Sequence, residues 1–388
     1  MIIRYRFHLL LLILLLAFPF SGFAQTFSLQ SISPADGQTG VSTVTQFVFT
    51  FNQPLAGSAT PSLDLTGLAV EFELHPSNSE LDNALATLSA DKKTLTINNV
   101  QLNANTQYTL LVTRAISADS AIFAKPTFVT FTTGSALATG KISGKVTAPS
   151  GSVEGALVSA NLEFLFQEDL YVGFATVDAN GNYEISHVPA GRYNVIVYKD
   201  EDGNGEFAPE MGEPIGGYDP DQNLLLDPIT LADGENKSGV NMEMKPSLPK
   251  TARELFNLLD PLVNGSAKVA AGGQGGNASL VSIVTIGLDS EGKSGIWFYS
   301  YKLATSDSLI GFAATDHLIV ASSPTLDEGG LTPGDSLLTP LPDNWMDSDA
   351  AMQIALQNGG DEFLQNHPGS QVFLLGANLQ PDSLFTPA

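Results

Sequence analysis

The sequence predicts a mainly β protein: two β-sandwich domains followed by a smaller α+β domain. Three observations carry that expectation. Short runs such as TQFVFTFNQPL and GRYNVIVYKD alternate apolar and polar residues, the period of two that sends one set of side chains into a sheet core. Turn formers such as Asn180-Gly181 and Pro189-Ala190-Gly191 separate these runs. From Thr251 a helical spacing takes over, with Thr251 and Glu254 in capping-box positions and Leu255, Leu258, Leu259 and Leu262 as an apolar stripe.

Composition narrows the class. The 388 residues carry 17 Lys+Arg against 41 Asp+Glu, a formal charge of −24, and no cysteine. So acidic a chain repels nucleic-acid phosphates and anionic lipid heads and favours cations. Its domains must stand on hydrophobic cores, since no disulfide can staple them. The first 24 residues have the layout of a signal peptide: Arg4 and Arg6, an apolar run from Leu9 to Phe20, then Gly22 and Ala24 at the spacing a signal peptidase reads. Cleavage is expected after Ala24, giving an exported chain that is extracellular, on the cell surface or periplasmic. The apolar run is short for a membrane anchor, which needs about 20 residues, so no membrane insertion of the mature chain is expected.

In residues 25–134, Phe47, Phe49 and Phe51 are expected to point into a core, followed by Leu95 and Ile97, then Tyr108, Leu110 and Val112. The succession SISPADGQTGVS, FTFNQPL, LSADKKTLTI, LNANTQYTLLV and FTTG resembles the bacterial Ig-like domain of surface-layer and other secreted proteins. That resemblance implies a β-sandwich serving as spacer or adhesive module, without catalytic residues. Glu71 and Glu73 share one strand face roughly 6 to 7 Å apart, within the range of glycosidase carboxylate pairs. Val70, Phe72 and Leu74 occupy the opposite face, which reads the two acids as the wet side of a half-buried strand.

Residues 138–246 form the second expected sandwich. KISGKVTAPSGSVEGALVSANL and TVDANGNYEISHVPAGRYNVIVYKD resemble the carboxypeptidase regulatory-like domain, a transthyretin-like sandwich, with Tyr183, Ile185, Tyr193, Val195 and Val197 in strands. Such a module is implied to be noncatalytic and to stiffen or present its neighbours. The stretch DEDGNGEFAPEMGEP then places Asp200, Asp202 and Asn204 at alternate positions, with Gly205 where a calcium loop turns sharply and Glu206 supplying a position-7 carbonyl. Position 12 is Met211, and Glu210 or Glu213 is expected to supply the missing carboxylate. A structural Ca2+ is the expectation here, a solvated acidic turn the alternative.

KPSLPK reads as a linker into the third domain, residues 250–388. Its GLDSEGKS, residues 287–294, fits the phosphate-cradling pattern G-x-x-x-x-G-K-[ST] letter for letter. That pattern works only where a helix follows, because helix N–H groups help hold the phosphates. Here GIWFYSYKL follows, with Ile296, Phe298 and Ser300 alternating with Trp297, Tyr299 and Tyr301, so a β-hairpin is predicted and no nucleotide site. In NWMDSDAAMQIALQNGG a second helix is expected, capped by Asp347 or Ser348, with Ala351, Met352, Ile354 and Ala355 inward. SQVFLLGANL is a further strand. Helix, hairpin, helix and strand, with the W-x-x-S-x-x-A run at Trp345, Ser348 and Ala351, resemble PepSY-like modules of exported bacterial proteins, in which a helix packs on a small sheet. A closing hairpin would complete that pattern, and the domain reads as incomplete.

No H-E-x-x-H and no G-x-S-x-G occurs, and His75, His187, His317 and His367 stand isolated in sequence. The reading is a noncatalytic, exported, modular protein of a bacterium that binds or spaces, its partner an envelope or extracellular protein or glycan. The alternative is an accessory factor or inhibitor of a secreted peptidase or glycan hydrolase. A hydrolase with a site assembled only in space is a third.

Overall fold

The computed structural model describes residues 26–57, 65, 68–76, 81, 84–123, 125–162, 171–265, 278–303, 309–321, 338–368 and 370–379. The expected leader, the glycine-rich stretch 272–276 and the tail from residue 380 lie outside them. The described chain is mainly β, with its α-helices in one body.

The first body contains β1 (Leu29–Ser33), β2 (Val44–Phe51), β3 (Val70–His75), β4 (Leu85–Leu88), β5 (Thr94–Gln101), β6 (Gln107–Ile116), β7 (Ile122–Phe123) and β8 (Thr127–Thr132). One sheet runs β1-β2-β5-β4; the other runs β3-β6-β7, with β8 also on β6. The inward residues of both sheets meet: Phe47, Phe49 and Phe51 face Tyr108, Leu110, Val112 and Phe131, all at most 1% exposed. Each buried aromatic or aliphatic side chain contributes about 1.5–3 kcal/mol relative to exposure. A sequence period of two therefore suffices to specify this sandwich.

The second body contains β9 (Gly140–Thr147), β10 (Leu157–Asn161), β11 (Tyr171–Thr176), β12 (Asn182–Val188), β13 (Gly191–Tyr198), β14 (Pro214–Gly217), β15 (Ile229–Leu231), β16 (Asn236–Lys237), β17 (Met242–Glu243) and β18 (Lys245–Pro246). The larger sheet runs β11-β10-β13-β14-β18, the smaller β12-β9-β16. Strands β16 and β17 pair parallel to β9. The β11–β12 turn works as its residues predict: Asp178 Oδ1 accepts the N–H groups of Asn180 and Asn182. Gly181 holds φ +83° where a Cβ would lie 2.5 Å from the Val146 carbonyl oxygen, so only glycine fits. The expected linker KPSLPK is partly strand: Lys245 and Pro246 pair with β14, and Lys250 exchanges backbone hydrogen bonds with Ser294.

The third body is a six-stranded sheet, β22-β21-β20-β19-β24-β23, formed by β19 (Ala278–Ile286), β20 (Trp297–Leu303), β21 (Leu309–Ala314), β22 (Ile319–Ala321), β23 (Leu338–Thr339) and β24 (Phe373–Leu379). Helix α1 (Ala252–Gly265) lies on it, and α2 (Ser348–Ala355) continues through a kinked turn to α3 (Asp361–Asn366). The capping box closes as predicted, Thr251 N–H to Glu254 Oε2 at 2.8 Å and Glu254 N–H to Thr251 Oγ1 at 3.2 Å. The buried stripe of α1 is Ala252, Leu255, Leu259 and Val263, whereas Leu258 is 41% exposed. Leu258 sits about 100° round the helix from Leu259, at the edge of the contact. On α2 only Met352 of the four expected residues is buried; Ile354 and Ala355 face solvent and Ala351 is half-buried. The hairpin β21–β22 had no counterpart in the sequence reading.

The three bodies share buried faces. Strands β10 and β13 are buried on both sides. Their inward residues fill the second core, while Leu157 and Phe174 pack on Leu111 of β6, and Ile196 packs on Ile296, Ala313 and Val320 of the third body. Backbone pairing crosses the second seam, from Leu226 N–H to Ile319 O at 2.9 Å and from Ile319 N–H to Leu224 O at 2.7 Å. Truncating Ile196 to alanine should cost about 2–5 kcal/mol in urea unfolding, whereas Leu258→Ala should stay within about 0.5 kcal/mol. Equal losses for the two would contradict the shared face.

Candidate functional site

The acidic loop between β13 and β14 folds on its own carboxylates. Asp200 accepts the N–H groups of Gly203 and Gly205, each at 2.7 Å, and both glycines adopt left-handed φ. Asp202 Oδ1 accepts the Asn204 N–H at 2.9 Å, and Asn204 Oδ1 accepts the Glu206 N–H at 2.6 Å. Glu213 reaches back to accept the N–H groups of Glu201 and Ala208 at 3.0 and 2.8 Å.

Of the expected ligands, Asp200, Asp202 and Glu213 place one carboxylate oxygen each within 4.8 Å of the others. Oxygens that each sit 2.3–2.6 Å from one Ca2+ lie at most about 5 Å apart, so this spacing fits a hard cation. Glu206 instead turns to Arg114, 3.6 Å away, and Glu210 lies over Gly287 of the third body. Burial pushes the Glu210 carboxyl above its usual range, and burial followed by the Asp200 and Asp202 charges does the same for Glu213.

A second group, Asp219, Asp221 and Asp227, repeats the spacing within 4.8 Å. Its loop copies the first: Asp219 accepts the Leu224 N–H at 2.9 Å, Asn223 Nδ2 donates to Asp221 Oδ2 at 3.0 Å, and Asn223 Oδ1 accepts the Leu225 N–H at 2.8 Å. Sequence reasoning passed over it, although DPDQN repeats the D-x-D-x-N of DEDGN. Both loops lie at seams. The first touches Arg114 of the first body through Gly205, and its Glu210 carbonyl accepts the Gly295 N–H of the third at 3.1 Å; the second leads into the backbone pairing with β22.

The strand face bearing Glu71 and Glu73 is not simply wet. Glu71 accepts from Arg114 at 3.1 Å, and Glu73 lies 3.0 Å from His75 Nε2. The His75 side chain is fully buried, tilted against the Tyr171 and Phe174 rings of the second body at 4.9 and 5.7 Å between centroids. Two histidines expected to be isolated therefore have acid neighbours, His75 with Glu73 and His317 with Asp316 at 2.8 Å. Both serve seams: His317 Nε2 also lies 3.0 Å from the Ile215 carbonyl across the second one.

The residues of the phosphate-loop pattern form a hairpin tip. Gly287 and Gly292 hold φ +80° and +78°, the Asp289 and Lys293 backbones pair, and strand β20 follows where the pattern needs a helix. Lys293 bonds Glu291 at 2.7 Å, and Ser294 is fully buried, accepting from Thr285 at 2.9 Å. The tip instead anchors helices. Ser348 Oγ donates to the Gly292 carbonyl at 2.6 Å and accepts from the Ala252 N–H at 2.9 Å, while Asp347 caps α2 and also accepts the Arg253 N–H at 2.9 Å. Trp345 of the W-x-x-S-x-x-A run lies under the Arg253 guanidinium, 3.9 Å from the ring centre.

Residues 24–133 match the family model of the bacterial Ig-like domain. No curated protein matches the chain. Among solved structures, similarity extends to the N-terminal part of the bacterial S-layer protein SbsC, at 15% identity and a TM-score of 0.20, covering 50% of this chain and 40% of that one. BcpA, the major pilin subunit of Bacillus cereus, is 13% identical at a TM-score of 0.17, covering 57% of this chain and 70% of that one. The chain thus spans well under two thirds of the S-layer fragment. Among the described residues, no helix is long and apolar enough to cross a membrane.

The raised carboxyl of Glu213 has a sign that can be measured. A folded pKa above the unfolded value, about 4.3 for Glu, gives a contribution that is full below that value and lost as pH rises through the folded pKa. In chelator, Glu213→Gln should therefore lose less melting temperature than the parent between pH 4 and pH 7; parallel curves would exclude the effect.

Proposed function

We propose that the chain is a noncatalytic, modular spacer and binding protein of the bacterial exterior, its domains locked in fixed relation and stiffened by calcium. The observation that carries this reading is the pair of acidic loops at the seams, each bringing three carboxylates within 4.8 Å. Like charges held so close repel, and a divalent cation offsets the repulsion while closing the loop. Asp200, Asp202 and Glu213 would hold the ion with the Glu206 carbonyl and water, and Asp219, Asp221 and Asp227 would hold another. The ion's role is structural.

The Ig-like domain supports placement on the cell surface, and the apolar run before Ala24 supports export. The two-sheet second body supports its reading as a carboxypeptidase regulatory-like stiffener, and the helix-on-sheet third body a PepSY-like one. Nucleic acid and nucleotides are poor partners for a chain of charge −24. A second reading, an accessory factor or inhibitor of a secreted peptidase or glycan hydrolase, is favoured by Phe373 and Leu375, 58% and 60% exposed on β24.

Calorimetric titration with Ca2+ should release heat and raise the melting temperature of the parent, and Asp200→Ala with Asp202→Ala should remove much of both. Identical melting curves with and without the ion would overturn the calcium reading. Small-angle scattering should show one dominant arrangement of the three bodies in solution; a broad distribution of domain separations would overturn the spacer.

A further inference from the structure

A cleft of about 770 Å3 opens between the Ig-like domain and the second body. That volume lies in the range of roughly 300–1,000 Å3 typical of ligand sites, and domain junctions are favoured places for them. Its walls combine two chemistries. Leu157, Ile215 and the rings of Tyr171, Tyr198 and Phe207 give an apolar lining, with Tyr198 and Phe207 tilted together at 4.6 Å between centroids. Glu71, Glu73, Glu154, Asp200 and Glu206 supply carboxylates, against Lys125 and Lys199. Lys199 donates to the Ser152 carbonyl, and Arg114 behind the wall is already shared between Glu71 and Glu206. Negative charge remains in excess beside half-buried aromatic rings.

We propose that this cleft binds an organic cation: a lysine or arginine side chain carried by an extended basic segment of a partner protein. Aromatic faces attract cations through their quadrupole, and carboxylates at the rim supply the counter-charge. The apolar stem of such a side chain lies along the Tyr171, Tyr198 and Phe207 rings while its charged head reaches the rim acids. A chain of charge −24 also steers a basic partner toward itself. A neutral sugar gains the ring faces but leaves the carboxylates without counter-charge, and a bare metal ion makes no use of the rings. This names a partner class for the binding half of the proposed function and rests on that half.

The test is calorimetric titration of the protein, in chelator and low salt, with hexalysine, with the same peptide acetylated on every Nε, and with cellohexaose. Hexalysine should bind and the other two should not. Glu154→Gln with Glu206→Gln should weaken binding about threefold to tenfold. Asp233→Asn with Glu362→Gln, an equal charge change at exposed residues outside the cleft, should weaken it far less. Phe207→Leu, which keeps an apolar side chain against Tyr198, should also weaken binding while leaving the melting temperature near the parent's. Equal weakening by the two charge pairs would reduce the effect to net charge and overturn the site. So would binding of cellohexaose alone. Absence of hexalysine binding overturns it too, and the scattering and calcium measurements then still decide the spacer reading independently.

Discussion

The outward face of the second body's larger sheet is the constraint on which the rest of the structure depends. A strand with one wet face alternates burial along its length; β10 and β13 do not. Their outward residues are taken up by two neighbours, Leu111 on one side and Ile296, Ala313 and Val320 on the other. Removing either neighbour would return apolar surface to water, at about 25 cal/mol per Å2. The middle sandwich thereby orients both flanking bodies, and the buried His75 and the half-buried His317 are parts of those seams.

The same geometry explains where the charge goes. An acidic chain with well-filled cores must place its carboxylates on loops and edges, and two of its densest acidic loops sit where bodies meet. There the N–H groups of Gly203, Gly205 and Leu224 give the carboxylates fixed positions. Fixed positions concentrate repulsion, and a site that concentrates repulsion responds to cations. The interdomain cleft belongs to the same pattern: Asp200 faces both the loop and the cleft, and Arg114 links Glu71 of the first body to Glu206 of the second.

Much of the local structure was legible in the residues. Phe47, Phe49 and Phe51 announce a strand by spacing alone, Thr251 and Glu254 announce a helix start, and the alternation beyond Ser294 excludes the helix that a phosphate loop needs. Each depends on neighbours a few positions away. The misreadings have a different origin. Ile354 and Leu258 have helical spacing but lie beyond the contact, and the strand face of Glu71 and Glu73 is covered only at its His75 end, because Tyr171 and Phe174, which pack on that ring, lie about a hundred positions on in sequence. The DPDQN loop was readable by analogy with DEDGN, yet its third carboxylate, Asp227, comes into place only through the turn of the chain.

The sequence by itself determined the strands, the caps, the turns and the acidity, because backbone stereochemistry and hydrophobic period act over a few residues. Only the tertiary structure decided which outward faces are buried, which acids converge, and that a cleft with aromatic walls separates the first two bodies. Those outcomes depend on surfaces meeting across long stretches of chain, and no local period records which surface meets which.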